Sequence, residues 1–230
     1  MKNQIRGKPI TSITTPPIRT VIRQPLVIIS QAIRTPAFWV LAAANTVHSM
    51  AMPAINIHGI PFLTDRGIDP LVAAGILAMM VSVSIPFRLV GGFLADRVRK
   101  DHLRFIIVGA YFMQALGFAV FLLNQSTAMI YVWFILYGIG QGVSLTPLTA
   151  MRARYFGRKA FGSIQGIATM LNTPVGVAAP IYVGWVYDTT GSYITAFTLI
   201  AALLTFSTVL AAFVLPPKPP AHITDISKFV

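Results

Sequence analysis

The chain has 230 residues, 55% of them hydrophobic and only 10% charged, which is far more apolar side chain than one soluble core needs. Its net charge of +12 sits in clusters between long apolar runs rather than along a face with interleaved aromatics, which argues against nucleic-acid binding. There is no cysteine, no glutamate and only 4 scattered histidines, so disulfides and thiolate metal sites are excluded, and no enzyme chemistry and no cofactor are expected.

Residues 1–36 carry prolines at 9, 16, 17, 25 and 36 together with Lys2, Arg6, Lys8, Arg19, Arg23 and Arg34, and read as a basic tethering segment. Their longest apolar run, "PLVII", is too short for a signal peptide. Six apolar stretches follow, at approximately 37–63, 71–95, 105–124, 127–151, 161–187 and 193–215. Each can cross a hydrocarbon layer of roughly 30 Å, which takes about 20 helical residues. The breaks "TDRGIDP", "DRVRKDH", "NQST", "RARYFGRK" and "DTTGS" leave no room for a soluble domain. An all-α integral membrane bundle over 37–215 is therefore predicted, with 216–230 as a tail and the lipid bilayer as surroundings.

Of the 18 Lys and Arg residues, all but Arg66 and Arg88 fall before the first span, in the second and fourth connections, or in the tail. The positive-inside rule then puts both termini in the cytoplasm, with the plasma (inner) membrane as the expected location. Within the spans, Gly138, Gly140 and Gly142 in the fourth, and Gly162 and Gly166 in the fifth, predict close helix contacts. Pro86, Pro147, Pro174 and Pro180 predict kinks.

The stretch "RLVGGFLADRVRK" at residues 88–100 straddles the cytoplasmic exit of the second span. It resembles the loop signature G-x-x-x-D-[RK]-x-G-[RK]-[RK] of the major facilitator superfamily, matched by Gly92, Asp96, Arg97 and Lys100. Arg99 replaces the second glycine and Asp101 the last basic residue. "AIRTPAFWVLA", "FLTDRGID", "YFGRKAFGSIQG" and "YDTTGSY" extend the likeness over residues 30–217, where the chain looks like the carboxy-terminal half of such a transporter. The resemblance implies helices seven to twelve of a twelve-helix fold, an inverted 3+3 repeat, and a substrate held near the midplane against a complementary amino-terminal six-helix half. It also implies that Gly92, Asp96, Arg97 and Lys100 act as gating residues when that half is present.

Asn45, His48, Gln141, Ser144, Gln165, Thr169 and Asn172 lie at depths where uncompensated polarity is costly, so they face protein or a wet cavity. Interhelical hydrogen bonding is their plain reading, and the resemblance implies a cavity lined by the first, second, fourth and fifth spans. Gln114 is a polar exception in the otherwise apolar third span. His58, near the outer end of the first span, is either interfacial or proton-coupling. Arg88 either snorkels to the interface or binds a substrate carboxylate with its fork. "FRLVGGFLAD" resembles monocarboxylate transporters, which use an arginine at the matching position, although Ser84 stands where several carry an aspartate. The fifth span has no lysine for a second carboxylate, so a monoanion is favoured over a dianion. The expected substrate-binding set is Arg88, Asn45, His48, Ser84, Gln141, Gln165 and Asn172.

Three readings stay open: half of a secondary transporter for a small organic monoanion, a transport-incompetent interaction or regulatory module, and a truncated transporter fragment.

Overall fold

The computed structural model describes residues 32–99, 102–156 and 161–215, so most of the basic amino-terminal segment, Lys100 and the tail after 215 lie outside the described residues. From Pro36 on, seven helices follow among the described residues: α1 (Pro36–His48), α2 (Ala51–Thr64), α3 (Pro70–Arg97), α4 (Leu103–Leu123), α5 (Thr127–Phe156), α6 (Phe161–Thr190) and α7 (Ile194–Ala212). With α1 and α2 counted as one rod, they make six helical rods of 19 to 30 residues, each long and apolar enough to cross a membrane.

Local chemistry sets the boundaries. Pro36 and Pro70 open α1 and α3, where a missing N–H costs nothing. The Asp69 carboxylate accepts from the amides of Leu71 at 2.8 Å and Val72 at 3.4 Å, which caps α3. Gly67 (φ 79°) and Gly191 (φ 66°) supply the left-handed turns after α2 and α6.

Helix runs unbroken through Pro86, Pro147, Pro174 and Pro180. The first rod is interrupted at Ser49–Met50, where Ser49 stands four residues ahead of Pro53, whose ring nitrogen cannot donate to the Ser49 carbonyl. Both residues keep helical dihedrals, and the Ser49 hydroxyl donates to the Thr46 carbonyl at 2.8 Å.

α5 is the hub of the bundle, and its alternating glycines are the reason. Gly138 and Gly142 lie against the carbonyl oxygens of Met80 and Ser84 on α3, while Gly140 lies against Ala110 on α4. Gly91 of α3 and Gly117 of α4 return the fit, against the carbonyls of Val143 and Trp133. A Cβ at any of these five positions would collide with or crowd a neighbouring backbone, so the helices meet closely enough for dispersion to hold them in lipid. α7 packs on α4 and α1, where the Ser207 hydroxyl donates to the Ala44 carbonyl at 2.7 Å.

The expectation for Gly162 and Gly166 does not hold. Among the described residues, α6's own backbone aside, no atom comes within 4 Å of a Cβ built at either, because this face of α6 meets no other described helix. α6 packs mainly on α2 and α1.

Two apolar clusters fill the ends. Phe62, Phe118, Phe121, Trp133, Tyr193 and Phe197 interlock at the end reached by α2 and left by α3. Phe38, Leu41, Leu103, Tyr111, Met151 and Phe156 pack at the other, basic end. α3 and α6 are the least covered rods, with 22% of their most apolar windows buried against 39–50% in the others. Val81, Ile85, Leu89 and Phe93 make an exposed apolar stripe at four-residue spacing on α3, and Val177, Ile181 and Trp185 make another on α6.

One boundary corrects the sequence reading. The fourth span was expected to stop at 151, with Arg152 in the following connection, yet α5 continues to Phe156 and buries Arg152 to 5% exposure. Backbone hydrogen bonding continues beyond the apolar run because α1 and α6 flank this last turn.

Candidate functional site

Arg88 lies nine residues before the end of α3, about 14 Å along the helix at 1.5 Å per residue. Its side chain is exposed beside the apolar stripe of α3, and its carbonyl accepts from the Thr146 hydroxyl at 3.4 Å. Thr146 also borders a cleft of about 340 Å³, whose other walls are Thr149, Ala150 and Ala153 of α5 and Phe161 of α6. The cleft therefore adjoins the stretch of α3 that carries the arginine. Ser84, one turn further in, is buried, with its hydroxyl donating to the Val81 carbonyl of its own helix at 2.7 Å.

Asn45 and His48 are brought together by Tyr111 of α4, a residue that the sequence reading passed over. The Tyr111 hydroxyl donates to Asn45 Oδ1 at 3.4 Å, and the His48 ring stacks on the Tyr111 ring at 3.5 Å with 7° between planes. All three are buried, and neither His48 ring nitrogen has a hydrogen-bond partner among the described residues. Gln114, one turn along α4 from Tyr111, is fully buried with its amide unpartnered in the same way.

The remaining expected site residues tie α6 to its neighbours. Asn172 Oδ1 accepts from the Thr46 hydroxyl of α1 at 2.7 Å. Gln165 Oε1 accepts from Arg152 Nη1 of α5 at 2.7 Å. Gln141 is half-buried, and its carbonyl accepts from Ser144 at 3.1 Å. The seven residues thus divide into an exposed arginine next to a cleft, Asn45 and His48 occluded around Tyr111, Gln165 and Asn172 in bonds on α6, and Ser84 and Gln141 in contacts within their own helices, rather than one continuous pocket.

At the basic end, Asp96 faces Arg154 of α5 across 3.7 Å, and Arg154 also donates to the Val98 carbonyl at 3.1 Å. The signature carboxylate therefore has a partner within this chain. Arg97 lies over the Phe93 ring at 4.0 Å. A Cβ at Gly92 would make only ordinary contact with Thr146, whereas one at Gly91 would sit 2.5 Å from the Val143 carbonyl oxygen, so Gly91 is the position that needs a glycine. His58 Nε2 meets the Pro180 carbonyl at 2.9 Å and joins α2 to α6.

Arg152 was legible in principle: Ser144, Leu148, Met151, Arg152 and Tyr155 recur at three- and four-residue spacing along the buried face of α5. Tyr111 and Arg154 carried no comparable signal, because what matters about each is a partner far away in sequence.

Among curated relatives, the chain is 28% identical over 143 residues to the uncharacterized transporter YycB of Bacillus subtilis, covering 62% of this chain and 35% of that protein. It is 24% identical over 177 residues to monocarboxylate transporter 12 of Rattus norvegicus, covering 76% of this chain and 36% of that protein. The chain thus spans about a third of the length of these relatives. The solved structure of the POT family transporter PepTSo superposes with a TM-score of 0.67 at 17% identity, over 80% of this chain and 39% of that one. The fold is shared at that level. The family model for the Major Facilitator Superfamily matches residues 4–180 and 116–229. With six membrane-length helical rods among the described residues, the chain is a multi-pass integral membrane protein, and it belongs to the major facilitator superfamily.

Proposed function

We propose that the chain is the carboxy-terminal half of a secondary transporter that moves a small organic monoanion by alternating access, working against a complementary amino-terminal six-helix half. The observation that carries this reading is Arg88, a permanent charge exposed about 14 Å along α3, on one of the two least covered rods and next to an open cleft. An arginine left in lipid costs roughly 2.5–3.5 kcal/mol, a cost that a wet cavity and a carboxylate both relieve. The guanidinium fork takes a carboxylate through two parallel bonds. Similarity to a monocarboxylate transporter supports the substrate class, and the absence of any lysine in α6 supports one negative charge rather than two.

The exposed stripes of α3 and α6 are the surfaces offered to the other half. Asn45, His48, Gln141, Gln165 and Asn172 contribute to the cavity when the rods rearrange, and Ser84 lies one turn from Arg88. Gly92, Asp96, Arg97 and Lys100 gate the basic end. Asp96 is 85% exposed, and an exposed pair such as Asp96–Arg154 is worth about 0–1 kcal/mol, weak enough to break and re-form in each cycle.

In this reading residues 1–36 and 216–230 flank the bundle in the cytoplasm, at the plasma membrane. Cysteines introduced as Asn124→Cys or Thr190→Cys then react with an impermeant thiol reagent outside sealed cells, and Lys100→Cys and Lys159→Cys do not. Labelling of Lys100→Cys from outside reverses the orientation.

The substrate role is tested by co-expressing the chain with a family amino-terminal half, confirming assembly, and measuring carboxylate uptake by parent, Arg88→Lys and Arg88→Gln. Uptake falls at least tenfold in Arg88→Gln, the equivalent of about 1.4 kcal/mol, and Arg88→Lys recovers only part of it. Unchanged uptake in Arg88→Gln refutes anion binding by this residue.

A further inference from the structure

Arg152 presents a charge problem that the transport reading leaves unsolved. Its side chain is 95% buried within α5, four residues from the helix end and so about 6 Å in from it. Nη1 donates to Gln165 Oε1 at 2.7 Å, but Nη2 is buried without a hydrogen-bond partner among the described residues. The carboxylates among those residues are all elsewhere. Asp96 sits against Arg154, Asp69 caps α3, and Asp65 and Asp188 lie at the opposite end of the bundle. A buried cation with an open donor and no carboxylate beside it among the described residues is one of the more expensive arrangements a protein can hold.

The surroundings of the guanidinium say what would satisfy it. It borders a small cavity walled by Phe38, Leu41 and Ala42 of α1, Phe156 of α5, and Ile164 and Ala168 of α6. Every wall except Arg152 is apolar. The cavity measures about 10 Å³, room for one water at most. Only a wall that gives way admits more, and α6 is the wall suited to it. It is one of the two least covered rods, and on its exposed outer face nothing among the described residues beyond its own backbone lies within 4 Å of a Cβ built at Gly162 or Gly166.

We infer that Arg152 anchors a second anion site, enclosed within this half between α1, α5 and α6, that takes a single carboxylate bearing a small apolar body. The carboxylate fills the open Nη2 donor while Gln165 holds Nη1 and orients the fork, and the apolar body lies against Phe38, Phe156 and Ile164. The site is complete without a second half; it shares Gln165 with the proposed transport cavity but does not use Arg88, on which the transport proposal rests.

The test is a calorimetric titration of the purified chain in zwitterionic phosphatidylcholine nanodiscs with benzoate, and with benzyl alcohol as its uncharged counterpart. Every titration is made in an Arg88→Gln background, so that success or failure here is separate from success or failure of the substrate role of Arg88. Expected are one saturable benzoate site, no benzyl alcohol site, at least tenfold weaker benzoate binding in Arg152→Gln, and parental affinity in Arg104→Gln, which removes a cation from the same end. Ala168→Val keeps the guanidinium and its bond to Gln165 but occupies the cavity, and is expected to weaken benzoate binding at least tenfold. If Arg152→Gln fails to fold, Ala168→Val decides the matter. Absence of benzoate binding, equal binding of benzyl alcohol, or parental affinity in folded Arg152→Gln or Ala168→Val overturns the inference.

Discussion

Replacing Gly138 by alanine places a methyl 2.5 Å from the Met80 carbonyl oxygen, inside the distance at which real Cβ atoms and oxygens meet. The α3–α5 seam must then part by about 0.5 Å or more, and a gap of that size forfeits roughly a quarter of the dispersion well for each atom pair along it. Overpacking of this kind costs about 1–3 kcal/mol. The opposing gain from alanine's better helix propensity is about 1 kcal/mol. Gly166→Ala provides the internal reference, since it gains the same propensity while its methyl meets nothing within 4 Å. Comparing the two cancels the backbone contribution and isolates the collision. Reversible unfolding in mixed micelles should therefore show Gly138→Ala less stable than Gly166→Ala by about 1–3 kcal/mol. Equal stability of the two variants would refute the claim that backbone contact at the glycines holds α3 to α5.

Phe62→Ala removes a fully buried ring packed edge-on to Phe121, Trp133, Tyr193 and Phe197, and should lower unfolding stability by about 3–5 kcal/mol. Ser207→Ala deletes the buried bond to the Ala44 carbonyl that joins α7 to α1, and the same assay should show a loss of about 0.6–1.7 kcal/mol. Asp96→Asn should leave thermal stability within about 1 kcal/mol of the parent, because the Asp96–Arg154 pair is exposed. A larger loss would mean that this pair holds the bundle together rather than gating it. Arg66→Ala removes a guanidinium that stacks over Phe62 at 4.7 Å and Phe121 at 5.4 Å and donates to Gln125 Oε1 at 2.6 Å. Proteolysis within 124–126 should become faster in that variant, with a stability loss of about 0.5–2 kcal/mol.

Six spans and their polar connections were readable because lipid forces each crossing to be both apolar and long, and hydropathy records that directly. Hydropathy does not record where hydrogen bonding stops. The Arg152 turn looked like a connection because a charge followed an apolar run, although α5 keeps its ladder to Phe156. Glycine spacing was informative only where a helix had a partner on that face. Gly138, Gly140 and Gly142 met backbones as expected, whereas Gly162 and Gly166 had the same small-residue pattern and no partner. The candidate site was less legible still. Asn45 and His48 were identified for their depth, but Tyr111, which joins them, lies in the third span, and a tyrosine there is unremarkable in sequence. Asp96 and Arg154 are 58 residues apart, and nothing local to either names the other.

The central claim is most directly tested by measuring uptake of a radiolabelled small monocarboxylate into proteoliposomes that contain this chain, a family amino-terminal half, or the two assembled together. The account predicts saturable uptake by the assembled pair, sensitive to Arg88→Gln, and none by either half alone. Saturable uptake by this chain alone, or none by a pair shown to be assembled and inserted, would contradict it.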